Sequence, residues 1–417
     1  MSARQAGRRR FLKEGATLAG LAVAAPAVGA QTLVPGSGRA HVPGGPHGQA
    51  EHPLELGERS RFVRPRRIPI TQVGHADMHG DPNGYDALTP MDELTGTITP
   101  ADLHYVSQHG NAPEDIDPRK HRLLISGMVD RPLIFTLDEL KRLPSVSRIH
   151  YIECIANRPN AREQTLNDLH GMVACSEWTG VLLSVLLKEA GVQDGATWVL
   201  GESADKVGLG TNIPFPKAMD DVIVAYAQNG EPVRPHQGFP LRLVVPGFEG
   251  KYHVKWLKQV RALDRPYPTY WEQSHFTNYP RREPLSYYLE QGPKSVITFP
   301  AAGREPLPDR GFYMINGLAW SGCGAVSRVE VSTDGGQTWK DAEIEGPALR
   351  VAFTRFQLPW TWDGQETVLL SRCTDDQGQV QPTAEEHSAF WAHARPPHGN
   401  PIQPWRITSD GRVHNAM

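Results

Sequence analysis

The sequence predicts an α+β domain over about residues 95–290, followed by an all-β domain over about 295–395 of the immunoglobulin-like sandwich type. Three observations carry this. A chain of 417 residues exceeds what one ordinary core organises. Its 40 glycines and 36 prolines call for many turns and irregular connections, against a helical bundle. The pattern also changes near Ser295. Strands interleaved with short helices precede it; alternating strands joined by turn clusters follow, with no long helix.

Residues 1–30 read as an export signal. Arg4, Arg8, Arg9, Arg10 and Lys13 give a basic start, a modest apolar stretch runs from Thr17 to Val28, and small residues surround Ala30. The stretch is too short and too weakly apolar for a membrane span. Arg8-Arg9 followed by Arg10-Phe11-Leu12-Lys13 resembles the twin-arginine signal, a route for proteins folded around a cofactor before export. The expectation is a periplasmic protein that does not span the membrane. Residues 31–94, including "VPGSGRAHVPGGPHG", read as a linker or extended arm.

In "RPLIFTLDELKRLPS", Thr136 and Glu139 stand at capping-box spacing and start a helix. "HYIECIANRP", residues 150–159, closes a strand alternating through Ile149, Tyr151 and Glu153, with Cys154 at the turn. "TGVLLSVLLKEAGV" is the clearest helix, with Leu182, Leu183, Leu186, Leu187 and Ala190 on one face and Gly191 stopping it. "DDVIVAYAQNGEPV" is a strand entering an Asn229-Gly230 hairpin turn. "FPLRLVVPG" puts Leu241, Leu243 and Val245 on one face and Arg242 on the other. "SRVEVSTDGGQTWKDAEI" and "ETVLLSRCTDDQGQVQPT" supply strands of the sandwich, and residues 396–417 are left as a C-terminal tail.

The formal charge of −3 falls further once the basic signal is set aside, which argues against a nucleic-acid surface. The four cysteines, Cys154, Cys175, Cys323 and Cys373, show neither C-x-x-C nor C-x-x-C-H, so neither a zinc framework nor an intrinsic c-type haem is expected. His75 and His79 at i, i+4 sit among Gly and Pro and read as a solvated loop. No nucleotide-binding glycine motif and no G-x-S-x-G occurs. In "GFEGKYHVKW", alternation places Lys251, His253 and Lys255 on one face, suited to an anion such as a phosphate or to a solvated edge strand. Taken alone, Cys154 is a buried structural thiol or a metal ligand.

"IECIANR", "HGMVACSEWTGVLLSVLL", "GFPLRLVVPGFEGKYHVKWL" and "GLAWSGCGAVSRVEVSTDGGQTW", in this order between about Leu94 and Trp391, resemble the sulfite oxidase family of molybdopterin oxidoreductases. "LTGTITPADLHYVSQHG", "PKSVIT" and "SRCTDDQGQVQPT" look most like its sulfane dehydrogenase (SoxC) branch, which acts in bacterial thiosulfate oxidation. The resemblance implies a molybdopterin-binding domain followed by a dimerisation domain, with a molybdenum cofactor ligated by Cys154. His109, Asn157, Arg158, Asp205, Gln237, Arg242, His253 and Lys255 would line the pterin, its phosphate or the turn beside the metal. Arg355 matches an arginine that the second domain lends to the substrate pocket.

Two positions depart from the family pattern: Ser107 where an arginine is common, and Phe276 where a tyrosine is. Pro159 replaces a third group that is often cationic. Each charged hydrogen bond lost is worth roughly 1.5–3 kcal/mol, which disfavours capture of free sulfite and favours sulfane sulfur carried on a protein. The implied reaction is oxidation of a sulfur substrate by oxo transfer, with electrons leaving to a separate c-type cytochrome and assembly as a homodimer or heterotetramer. Two other readings fit parts of the sequence. One is a non-catalytic, cofactor-binding assembly subunit, suggested by Ser107 and Phe276. The other is a sulfoxide-reducing relative, whose usual form lacks the sandwich.

Overall fold

The expected helix starts and turns form where the chemistry places them. Thr136 accepts from the Glu139 amide while Glu139 accepts from the Thr136 amide, opening the helix Leu137–Leu140. The helix Leu183–Glu189 buries Leu183, Leu186 and Leu187 completely, each worth about 2 kcal/mol, and Gly191 ends it at φ +69°. Asn229 (φ 51°) and Gly230 (φ 77°) turn the strand Ile223–Gln228 back onto Glu231–Pro232.

The computed structural model describes residues 66–70, 86–108, 115–158, 164–205, 208–274, 289–392 and 398–417, all within one unit, Arg64–Met417. Two sheets build the first domain. One is antiparallel and runs Glu231–Pro232, Ile223–Gln228, Val173–Leu182, Val146–Glu153, with Arg242–Val244 also pairing to Ile223–Gln228. The other is mixed and runs Leu133–Phe135, Leu123–Gly127, Leu257–Leu263, Trp198–Ser203, Gly210–Pro214. Val181, Val224 and Leu243 from the first meet Leu123, Val199 and Val260 from the second in one core, with Leu241 beside them. The opposite face of the antiparallel sheet carries Ile152, Ala174, Trp178 and Val244.

The second domain is a sandwich of two antiparallel sheets. One runs Lys294–Phe299, Gly311–Trp320, Thr354–Trp362, Glu343–Glu345. The other runs Lys340–Asp341, Val326–Ser332, Thr367–Asp375, Trp405–Ile407, Val413–Asn415. Ile315, Leu318 and Phe356 pack against Val329, Val331 and Leu369 between them. The segment 396–417, expected as a tail, supplies the last two strands. The physical reason is burial: Trp405 and Ile407 are fully enclosed.

The two domains meet through backbone. Gln291 donates to the Gly247 carbonyl at 2.9 Å, and Gly322 donates to the Gln291 carbonyl at 2.8 Å. A Cβ on Gly247 (φ +82°) would overlap the Gly322 carbonyl oxygen, so this approach requires glycine. Among the described residues, no helix is long and apolar enough to cross a membrane.

Candidate active site

The strand Val146–Glu153 delivers Cys154 to a tight turn. The Cys154 amide donates to Met172 O at 2.9 Å, and the Asn157 amide donates to Cys154 O at 3.0 Å. The period of two sends Tyr151 toward the sandwich core, and Ile152 and Cys154 to the opposite side. Cys154 is half-buried. Gly250 passes so close that a Cβ there would lie 3.2 Å from Cys154 Cα and 3.1 Å from the Tyr105 hydroxyl. Burial pushes the Cys154 thiol up to about 12; Glu249 and Asp86 reinforce this, while the Ala156 amide and Arg158 oppose it. The protein alone therefore keeps the thiol protonated, and a bound soft metal would take the proton's place.

Arg242 dominates the electrostatics. It is 4% exposed, its guanidinium stacks 4.9 Å from the Trp178 ring, and it donates to Gln237 Oε1 (2.9 Å) and to His253 O (3.3 Å). Among the described residues, its Nε has no partner and no carboxylate pairs with it. Burial lowers its pKa to about 10. Gln237 in turn donates to Tyr105 O at 2.7 Å, which fixes its oxygen toward the arginine.

Lys255 donates to Ser107 O (2.8 Å) and His236 O (3.2 Å) and lies over the Trp256 ring. Burial, then repulsion from Arg242, lowers its pKa to about 7, against the pull of Asp86, Asp205 and Cys154. Arg242, Asp86, Asp205 and Cys154 thus all act electrostatically on Lys255. His253 accepts from the Val245 amide at Nδ1 and donates from Nε2 to Phe248 O, so it is a neutral, fully engaged imidazole. Burial holds its pKa well below the usual range.

The single cationic face expected for Lys251, His253 and Lys255 does not form. Gly250–Tyr252 is a 3₁₀ turn and not a strand, so alternation fails there. Lys251 instead pairs with the buried Glu249 at 3.0 Å. Asn157, expected near the cofactor, spends its side chain inside the protein: Nδ2 donates to Glu153 Oε1 (2.7 Å) and Oδ1 accepts from the Met172 amide (2.9 Å). It staples the Cys154 turn. Arg158 donates from Nε to Ile155 O at 2.7 Å within the same turn. Asp205 accepts from the Gly208 amide at 2.8 Å and shapes its own loop.

Ser107 contributes its carbonyl to Lys255. Arg355, on a sandwich strand, donates to Leu94 O and Gly96 O (3.4 Å each) and lies 3.6 Å from Glu345. Among the described residues, its hydrogen bonds go to the Leu94–Gly96 segment. His75, His79, His109, Pro159 and Phe276 lie outside the described residues.

Sequence reasoning missed two features. His104 donates from Nδ1 to Tyr105 O, leaving a buried Nε2 without a partner beside Arg242 and Trp178; its pKa is lowered to about 3, first by burial and then by Arg242. Gln108 is buried, and among the described residues neither of its amide atoms has a partner. Neither has a motif of its own; only proximity to "YVSQHG" could have suggested them.

Set beside known proteins, residues 109–271 match the oxidoreductase molybdopterin binding domain, and residues 288–394 match the Mo-co oxidoreductase dimerisation domain. The chain belongs to the sulfite oxidase family of molybdopterin oxidoreductases. It is similar to the sulfane dehydrogenase SoxCD of Paracoccus pantotrophus, with 36% identity, a TM-score of 0.80, and coverage of 88% of this chain and 96% of that one. It is 31% identical over 331 residues to mitochondrial sulfite oxidase of Mus musculus, which covers 72% of this chain and 60% of that protein. Against a nitrate reductase [NADH] of Solanum lycopersicum it is 34% identical over 317 residues, 67% of this chain and 34% of that protein. The chain thus spans less than two thirds of these two curated relatives.

Proposed function

We propose that this protein is an exported, periplasmic molybdenum-cofactor oxidoreductase that oxidises a sulfur substrate and passes the electrons to a separate c-type cytochrome. The observation that carries the reading is that a half-buried thiol and a buried arginine with no carboxylate partner among the described residues both act on one lysine, Lys255. The residues fit a pterin-bound metal. Cys154 offers one soft ligand, and Arg242 Nε, His104 Nε2 and Gln108 are buried polar groups without partners among the described residues. Arg242 and Lys255 would hold the phosphate end, with Gln237 aiming the guanidinium. When bound, the cofactor would supply two-electron redox and oxygen-transfer chemistry.

The substrate proposed is sulfane sulfur carried on a protein. Ser107 supports it, because its short neutral side chain stands where a cation would strengthen capture of a small free anion. The similarity to a sulfane dehydrogenase structure points the same way. Purified protein should carry about one molybdenum per chain, lost on Cys154→Ser. Parallel assays with protein-bound sulfane sulfur and with free sulfite, using a cytochrome acceptor, decide the substrate. Turnover confined to sulfite refutes the sulfane assignment.

A further inference from the structure

Directly behind Cys154 lies a charged network that the proposed function does not use. Glu153 is fully buried, and its carboxylate accepts four donors. Oε1 receives Lys294 Nζ (2.7 Å) and Asn157 Nδ2 (2.7 Å); Oε2 receives Trp320 Nε1 (2.8 Å) and His398 Nε2 (3.2 Å). Lys294 Nζ also donates to Asn157 O at 3.0 Å, and Gln291 Nε2 to Glu153 O at 3.5 Å. Lys294 and Trp320 are register partners on neighbouring sandwich strands, and His398 comes from the segment leading into the last strands. Three of the four donors therefore belong to the second domain or its C-terminal extension. The fourth, Asn157, closes the turn that holds Cys154.

A buried ion pair is a weak source of stability, because apolar residues of the same volume often do as well. What it supplies is geometric definition: a carboxylate with four fixed donors tolerates one position. We propose that Glu153 is a positioning residue through which the sandwich domain sets the orientation of the Cys154 turn, and hence of the thiolate toward the metal. The inference rests on the proposed function, in which Cys154 is the metal ligand. The connection is short. Glu153 is the neighbouring residue, Asn157 links the carboxylate to the far side of the turn, and Met172 pins both ends through Cys154 N and Asn157 Oδ1.

The test uses two variants. Glu153→Gln keeps the shape and removes the charge; Trp320→Phe removes a single donor and leaves the ion pair intact, which keeps the test open if Glu153→Gln fails to fold. In cofactor-free protein, amide exchange at 154–157 and 172 should quicken about tenfold in both, with the helix 183–189 unchanged. In loaded protein, molybdenum should be retained while the paramagnetic resonance parameters and reduction potential of the metal shift, because the turn that carries the Cys154 thiolate is displaced. Loaded variants with wild-type resonance parameters and potential, whatever their melting temperature, overturn the positioning role alone. Wild-type protein that never contains molybdenum overturns the proposed function and the positioning role with it.

Discussion

Replacing Arg242 by methionine separates a structural cation from a prepared anion receptor. Burial takes the guanidinium from its ordinary 12.5 to about 10, which at about 1.4 kcal/mol per pH unit disfavours the charged form by about 3 kcal/mol. The sign follows from proton binding. Below about pH 10 both folded and unfolded chains carry the proton, so the cost is fully present at neutrality; it is relieved only as pH rises above 10. Methionine removes the cost and fills the volume of the arginine stem. It also removes the bonds to Gln237 and His253 and the stacking on Trp178, an offset of similar size. Cofactor-free Arg242→Met should therefore differ from wild type by less than about 2 kcal/mol in urea unfolding, whereas breaking a buried ion pair costs about 3–5 kcal/mol. Molybdenum content, by contrast, should collapse. A loss above about 4 kcal/mol in the cofactor-free variant would show that the arginine holds the fold together, and the receptor argument would be wrong.

Lys255, lowered to about 7, gives opposed pH trends in cofactor-free protein: stability from this group grows as pH rises from 7 toward 10.5, while affinity for an anion falls. Sulfate, whose charge is constant there, should bind about tenfold more weakly per pH unit above 7, and Lys255→Met should flatten the profile in a thermal-shift titration. Gly247→Ala forces a Cβ into the Gly322 carbonyl at φ +82° and should cost about 1–3 kcal/mol, read as a lower urea midpoint. Changing Arg8-Arg9 to Lys-Lys should leave the protein in the cytoplasm on cell fractionation, if export follows the twin-arginine route.

Local chemistry was legible wherever neighbours in sequence are neighbours in space. The Thr136–Glu139 box, the Asn229-Gly230 turn and the split of Leu241 and Leu243 from Arg242 follow from spacing alone. "GFEGKYHVKW" was misread because alternation presumes a strand; a 3₁₀ turn and the adjacent Glu249 redirect Lys251. Trp405 and Ile407 escaped notice because three-residue strands carry too little periodicity to see. The four-donor carboxylate was invisible for another reason. Lys294 and His398 lie 141 and 245 residues from Glu153, and no local pattern encodes a contact at that range.

These observations join at one strand end. A period of two gives adjacent residues opposite faces, so Glu153 reaches Lys294, His398 and Trp320 while Cys154 reaches Gly250 and the surroundings of Arg242 and Lys255. Slipping the strand by one position would bury the thiol among sandwich donors and aim the carboxylate at Arg242 and Lys255, where it would neutralise the cations proposed to receive the phosphate. Register is therefore a functional variable here as well as a structural one. The pairing of Glu153 with Val173 and of Tyr151 with Cys175 holds it, and the Met172 carbonyl extends that ladder one step to the Cys154 amide. Because the charges on the two faces are not interchangeable, the same pairing that closes the sheet also keeps the thiol on the face of Arg242 and Lys255.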